Sequence, residues 1–142
     1  MFMQAKPFRL AVKAVVFDSQ KRCLLMRRSA VNRNFVGCWE WPGGKVDDGE
    51  DFTTALLREA REETSLEVEI TGLAGAAEFE TPKASVVLLC MEVHVIGGSM
   101  RLSEEHDAFE WVNPVDFHRY ELLPGVQDFM IEYASRKGAS RA

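Results

Sequence analysis

Three carboxylates crowd one short segment, Arg58-Glu59-Ala60-Arg61-Glu62-Glu63. The run Asp51 to Ser65 has few helix breakers and acidic residues at its start, which predicts a helix. At 100° per residue, Phe52, Ala55, Leu56, Glu59, Glu63 and Leu66 fall within about 60° of one line, with Glu62 at its edge. Two carboxylates therefore interrupt an apolar stripe, where desolvation and mutual repulsion both oppose their ionisation. Arg58 can pair with Glu62 across one turn. Arg61 points away from Glu59 and Glu63 by roughly 120° or more and cannot serve them. A hard cation fits better. Oxygen donors with no neighbouring His or Cys favour Mg²⁺ or Mn²⁺ over zinc, and such ions commonly serve phosphate chemistry.

The loop ahead of the helix carries Gly43-Gly44, which permits close backbone approach to a ligand. From Gly44 the chain reads five residues to Glu50, seven more to Arg58-Glu59, then Ala60, Arg61, Glu62-Glu63, Thr64, Ser65 and Leu66. This resembles the Nudix box: Gly, five residues, Glu, seven residues, Arg-Glu, an aliphatic, any residue, Glu-Glu, any residue, Gly, aliphatic. Two positions depart, Ala60 in place of a larger aliphatic and Ser65 in place of the Gly that ends the helix. Neither removes a proposed ligand.

The resemblance implies an α/β/α sandwich with a mixed sheet and a metal held by Glu59, Glu62 and Glu63 with the Gly44 carbonyl. It implies that Glu50 and Arg58 pair to tie loop to helix and orient the ligands. A later acidic residue that completes the metal shell or acts as base is assigned to Glu105, six residues before Trp111, with Glu104 and Glu110 as rivals. The stretch Trp39-Glu40-Trp41-Pro42-Gly43-Gly44-Lys45-Val46 is similar to that of Nudix enzymes cutting nucleoside triphosphates, the 8-oxo-dGTP diphosphatases among them. The implied reaction is hydrolysis of a nucleoside triphosphate, oxidised or otherwise modified bases included, to monophosphate and pyrophosphate. ADP-ribose is the alternative substrate, and a non-catalytic nucleotide sensor ranks below both. Trp39 or Trp41 can stack on a base while Glu40 reads its edge. Arg27 or Arg28 and Lys45 can neutralise phosphate. Val126 stands where the bacterial diphosphatases place a base-reading Asn.

Among the elements that carry these groups, Phe8–Phe17 and Lys21–Arg28 predict a hairpin turned at Asp18-Ser19-Gln20. Ser29 to Gly49 reads as one long structured loop. Glu67–Ile70, Ala77–Glu80, Ser85–Val95 and Phe109–Val112 predict strands, and Pro114–Tyr120 and Pro124–Tyr133 closing helices. Ser135–Ala142 is expected to fray. The whole chain, 1–142, reads as a single domain without repeats.

Composition narrows the function class. Hydrophobic residues at 46% and charged residues at 27% describe a folded, water-soluble chain. The longest apolar run, Val86–Met91, is far below the roughly 20 residues of a membrane helix. Lys6, Arg9 and Lys13 interrupt any secretory signal, so the expected address is the cytoplasm. Cys23, Cys38 and Cys90 lack disulfide or zinc spacing and are expected to be reduced thiols. A net charge of -5 gives no footprint for polymeric nucleic acid or an anionic membrane. The expected partner is a small nucleotide, and a homodimer is compatible with this reading.

Overall fold

The computed structural model of the chain describes residues 5–140. The first expected strand forms as β1, Phe8–Phe17, and lies at the centre of a seven-stranded sheet. On one side β1 runs parallel to β6, Ser85–Gly98, in register from Phe8 opposite Ser85 to Phe17 opposite His94. Beyond β6 lies β5, Leu66–Glu80, antiparallel to it. On the other side β2, Cys23–Arg28, pairs antiparallel with β1, with β3, Trp39–Glu40, and with β7, His106–Val112. β4, Gly43–Lys45, pairs antiparallel with β1. The sheet is mixed, as expected.

Each face of the sheet is covered by a helix, which explains why β1 reads as a nearly unbroken apolar run. Val12, Ala14 and Val16 of β1 and Leu24 and Met26 of β2 pack against Ala55, Leu56 and Ala60 of α1, Phe52–Thr64. Val15, Leu25, Leu88 and Cys90 face the other way, onto Phe117 of the 3-10 turn Pro114–Arg119 and onto Met130 and Tyr133 of α2, Gln127–Ser140. The architecture is the α/β/α sandwich that the resemblance implies. Cys23, Cys38 and Cys90 are all free and buried. Among the described residues, no helix is long and apolar enough to cross a membrane.

Four local readings change. The loop Ser29–Gly49 contains β3 and β4, whose brevity hides them in sequence; their partners on β1 and β2 make them strands. The two strands expected at Glu67–Ile70 and Ala77–Glu80 are one strand. Register shifts at Ile70/Gly72 and Leu73/Gly75 carry the strand through the stretch between them. The Pro124–Tyr133 helix begins instead at Gln127 and runs to Ser140, through much of the tail expected to fray. Lys137 bonds Glu92 at 2.5 Å and Arg136 reaches the Ala74 carbonyl at 3.5 Å, so the tail is tied to the sheet. Residues 141–142 of that tail lie outside the described residues.

Candidate active site

The positions of the box residues follow from the ends of α1. Asp51 caps its start, accepting from the Thr54 amide at 2.8 Å. Ser65 closes it in the left-handed conformation, φ 61°, where the resembled pattern has Gly. Between these caps, burial of Ala55, Leu56 and Ala60 fixes the helix rotation. Glu63 is buried, Glu59 is half-buried and Glu62 is exposed, close to the order that the helical stripe predicts.

The loop is clamped to this helix in two places. The Gly43 amide donates to Glu63 Oε2 at 2.8 Å. Arg58 donates Nε and Nη2 to both oxygens of Glu50 at 2.8 and 2.9 Å, a bidentate pair that pulls the Glu50 carboxyl down to about 2. The same guanidinium reaches Glu59 at 2.9 Å and Glu62 at 3.3 Å. Gly44 then passes so close to Glu59 that an added Cβ would sit 2.9 Å from its carboxylate. The box thus brings the Gly44 backbone, Glu59 and Glu63 together.

Electrostatically Glu59 and Glu63 are only partly compensated. Burial pushes Glu63 up to about 8; Lys13 and the Gly43 amide offset this only in part, and Glu40 and Glu59 add to it. Glu59 is raised as well, by burial first, with Arg58 opposing and Glu62 and Glu105 contributing repulsion. A carboxylate cluster that resists ionisation, beside a backbone kept bare by glycine, fits a bound divalent cation. Glu63, Glu105 and His106 each place one donor atom within 4.8 Å of the others. The premise that no His lies near is therefore corrected: His106 is adjacent to Glu105 in sequence and folds in beside Glu63.

These groups open into one cleft of about 670 Å³, lined by Gly44, Glu63 and Glu105 and by the expected Arg28, Glu40 and Lys45. Glu40 is buried with both oxygens engaged. Lys13 reaches Oε1 at 2.8 Å, while Arg28 and His106 reach Oε2 at 2.9 Å each. Burial alone would raise its carboxyl, but Lys13, His106 and Arg28 together hold it well below the usual carboxylate range. Glu40 therefore organises two cations and is not free to read a base edge. Lys13 completes the exchange: burial opposes its charge, yet Glu40 and Glu63 keep its ammonium above its ordinary value.

Other expected residues lie elsewhere. Trp41 is 2% exposed and packs edge-on against Phe117, Phe129 and Tyr133, so its ring belongs to the core. Trp39 stacks edge-on with Tyr120 beneath Arg27, whose guanidinium is bonded to Asp107. Neither tryptophan lines the cleft; Phe35 and Phe79 do. Of the rivals to Glu105, Glu110 is bonded by the Tyr120 hydroxyl and Glu104 offers its carbonyl to Ser29. Lys13 and His106 are the residues that sequence reasoning passed over. Lys13 had a signal, being the one charge inside the run Leu10–Phe17, where burial demands a partner.

The NUDIX domain family model matches residues 7–133. Over 131 residues the chain is 29% identical to the CTP pyrophosphohydrolase of Escherichia coli, spanning 89% of this chain and 96% of that protein. It is 30% identical over 92 residues to the ADP-ribose pyrophosphatase of Methanocaldococcus jannaschii, spanning 63% of this chain and 53% of that one. The crystal structure of a MutT protein from Methanosarcina mazei superposes with a TM-score of 0.82 at 28% identity, covering 95% of this chain and 99% of that chain. The chain therefore belongs to the NUDIX domain family and is a Nudix hydrolase.

Proposed function

We propose that this hydrolase cuts a phosphoanhydride bond of a nucleoside triphosphate, releasing nucleoside monophosphate and pyrophosphate, with Mg²⁺ or Mn²⁺ as its metal. One observation carries the reading: a single cleft joins Gly44 and Glu63 of the box to an apolar wall of Leu88, Val86, Phe79 and Val126. Phosphates and a base can be bound together in it. The metal would be held by Glu59, Glu62, Glu63 and the Gly44 carbonyl. It would neutralise phosphate charge and favour ionisation of the attacking water. Glu105, whose carboxylate lies within 4.8 Å of Glu63 on α1, takes the proton of that water as its oxygen bonds to phosphorus and the bridging P–O bond breaks. Arg28, oriented by Glu40, neutralises a non-bridging phosphate oxygen, and Lys45 contributes at longer range. Glu50 acts through Arg58, holding Glu59 in place.

The deciding experiment is Mg²⁺-dependent turnover of the common and oxidised nucleoside triphosphates beside ADP-ribose, with products identified. Monophosphate and pyrophosphate are the expected products. Turnover of ADP-ribose alone would move the substrate to nucleoside diphosphates joined to a second group, and silence throughout would reject the proposal.

A further inference from the structure

The base-binding part of the cleft, under the reading just proposed, lacks the side chains expected to read a base. Val126 offers only methyl groups. Trp41 lies in the core, and Glu40 has both oxygens occupied. The direction of the cleft indicates where else to look. Gly43, which bonds Glu63, lies opposite Lys13 on β1. Two residues back, Ala11 faces Lys45 on one side and Leu88 on the other; two further, Arg9 faces Val86, which faces Phe79. Four residues of strand cover about 13 Å, a length of the order of a nucleoside. Arg9, Ala11 and Lys13 share one face of β1, so the cleft runs from the carboxylates, past an apolar wall, to Arg9.

The side chains at that far end are hydrogen-bond donors. The Arg9 guanidinium makes one bond, to the Phe8 carbonyl at 3.1 Å. Lys83 follows Thr81 in the turn joining β5 to β6, and its ammonium has no partner among the described residues. Thr81 turns its hydroxyl hydrogen to the Ala84 carbonyl, and the Glu80 carboxylate is occupied by Lys6 and Ser85. No carboxylate or side-chain amide oxygen lines this end among the described residues.

We infer that Arg9, assisted by Lys83, reads an acceptor-only base edge, which makes a 6-oxopurine the preferred base over a 6-aminopurine. A guanidinium fork matches the adjacent O6 and N7 acceptors of guanine or hypoxanthine. Adenine would turn its amino group toward donors and leave them unpaired. This rests on the triphosphate reading and adds the class of base.

The test compares dITP with dATP, which differ in the group at C6, oxo against amino, and in the N1 proton that goes with the oxo form. The wild type is expected to favour dITP in kcat/KM by about tenfold, the low end for a bidentate contact because Arg9 is exposed. Arg9→Ala should bring the two substrates within about twofold of each other, chiefly through KM, and Arg9→Lys should fall between. Binding of IMP and AMP by calorimetry, with no turnover required, gives a second readout in the same variants. Equal use of both triphosphates, a ratio unmoved in Arg9→Ala, or no binding of either monophosphate would overturn the inference. If triphosphates are not cut but IMP binds more tightly than AMP through Arg9, the hydrolysis reading fails while base selection stands.

Discussion

Adjacent glycines in the box loop do different work, and the difference can be tested. An added Cβ at Gly43 would lie 2.0 Å from the Val12 carbonyl oxygen and 2.8 Å from the Lys13 Cα, with φ at 153°. That is a backbone collision in a conformation disfavoured for side-chain-bearing residues, so Gly43→Ala should lose roughly 3 kcal/mol of stability in a denaturant titration. At Gly44 the obstacle is the Glu59 carboxylate, a side chain that can move. Gly44→Ala should unfold near the wild-type midpoint yet need roughly 10–100-fold more Mg²⁺ for half-maximal activity. A large stability loss at Gly44, or unchanged Mg²⁺ dependence, would contradict the close approach of this backbone to the proposed metal site. At this scale the sequence revealed most of what the box contains, because helix periodicity places Glu59 and Glu63 on one face and the resemblance to the Nudix box implies the Glu50–Arg58 pair. It did not reveal that Glu40 serves Lys13 and His106, 27 and 66 residues away, since such pairings exist only after β1, β3 and β7 assemble.

Among the elements, α1 was legible because amphipathic periodicity, an Asp cap and a C-terminal breaker position coincide in one continuous segment. β3 and β4 were not, because two- and three-residue strands carry no periodicity of their own. The Trp rings illustrate the same limit: alternation along Trp39-Glu40-Trp41 is visible, but which face meets α2 depends on the sheet. The end of α1 yields a prediction of its own. Ser65 adopts φ 61°, which costs an L-residue energy that Gly does not incur. Its hydroxyl recovers little, bonding the Arg101 carbonyl at 3.4 Å. Ser65→Gly is therefore expected to stabilise the chain by roughly 0.5 kcal/mol, after the larger unfolded-state entropy of Gly is subtracted, with activity unchanged. Ser65→Val should destabilise, because a β-branched residue is poorly accommodated there. Chemical denaturation of the three proteins orders them Gly above Ser above Val, and any other order would refute the left-handed cap.

For the molecule as a whole, the proposed site is expected to couple folding to both pH and divalent cations. Glu63 has a folded value of about 8 against 4.5 for a free carboxyl, burial being the main cause. A folded value raised this way means that the native state holds a proton more tightly than the unfolded chain does. The stability it contributes is full below pH 4.5 and is lost as pH rises through about 8. Glu59, raised in the same direction, adds to that loss. Glu40 acts oppositely, being held below its ordinary 4.5, so its contribution is lost only on acidification below that value. Between pH 5.5 and 8.5, in protein stripped of divalent cations, the melting temperature is therefore expected to fall from these groups. Cations bind the ionised carboxylates and compete with their protons, so Mg²⁺ should raise the melting temperature more at pH 8.5 than at pH 5.5. At a hundredfold excess over its dissociation constant the stabilisation is about 2.7 kcal/mol. In Glu63→Gln the cation-free slope should flatten and the Mg²⁺-induced rise should shrink, because the neutral amide neither titrates nor ligates as a carboxylate does. Thermal melts of both proteins at the two pH values, with and without Mg²⁺, decide the matter. An equal Mg²⁺ shift at both pH values would place the cation away from the buried carboxylate, and an unchanged slope in the variant would assign the pH dependence to other groups.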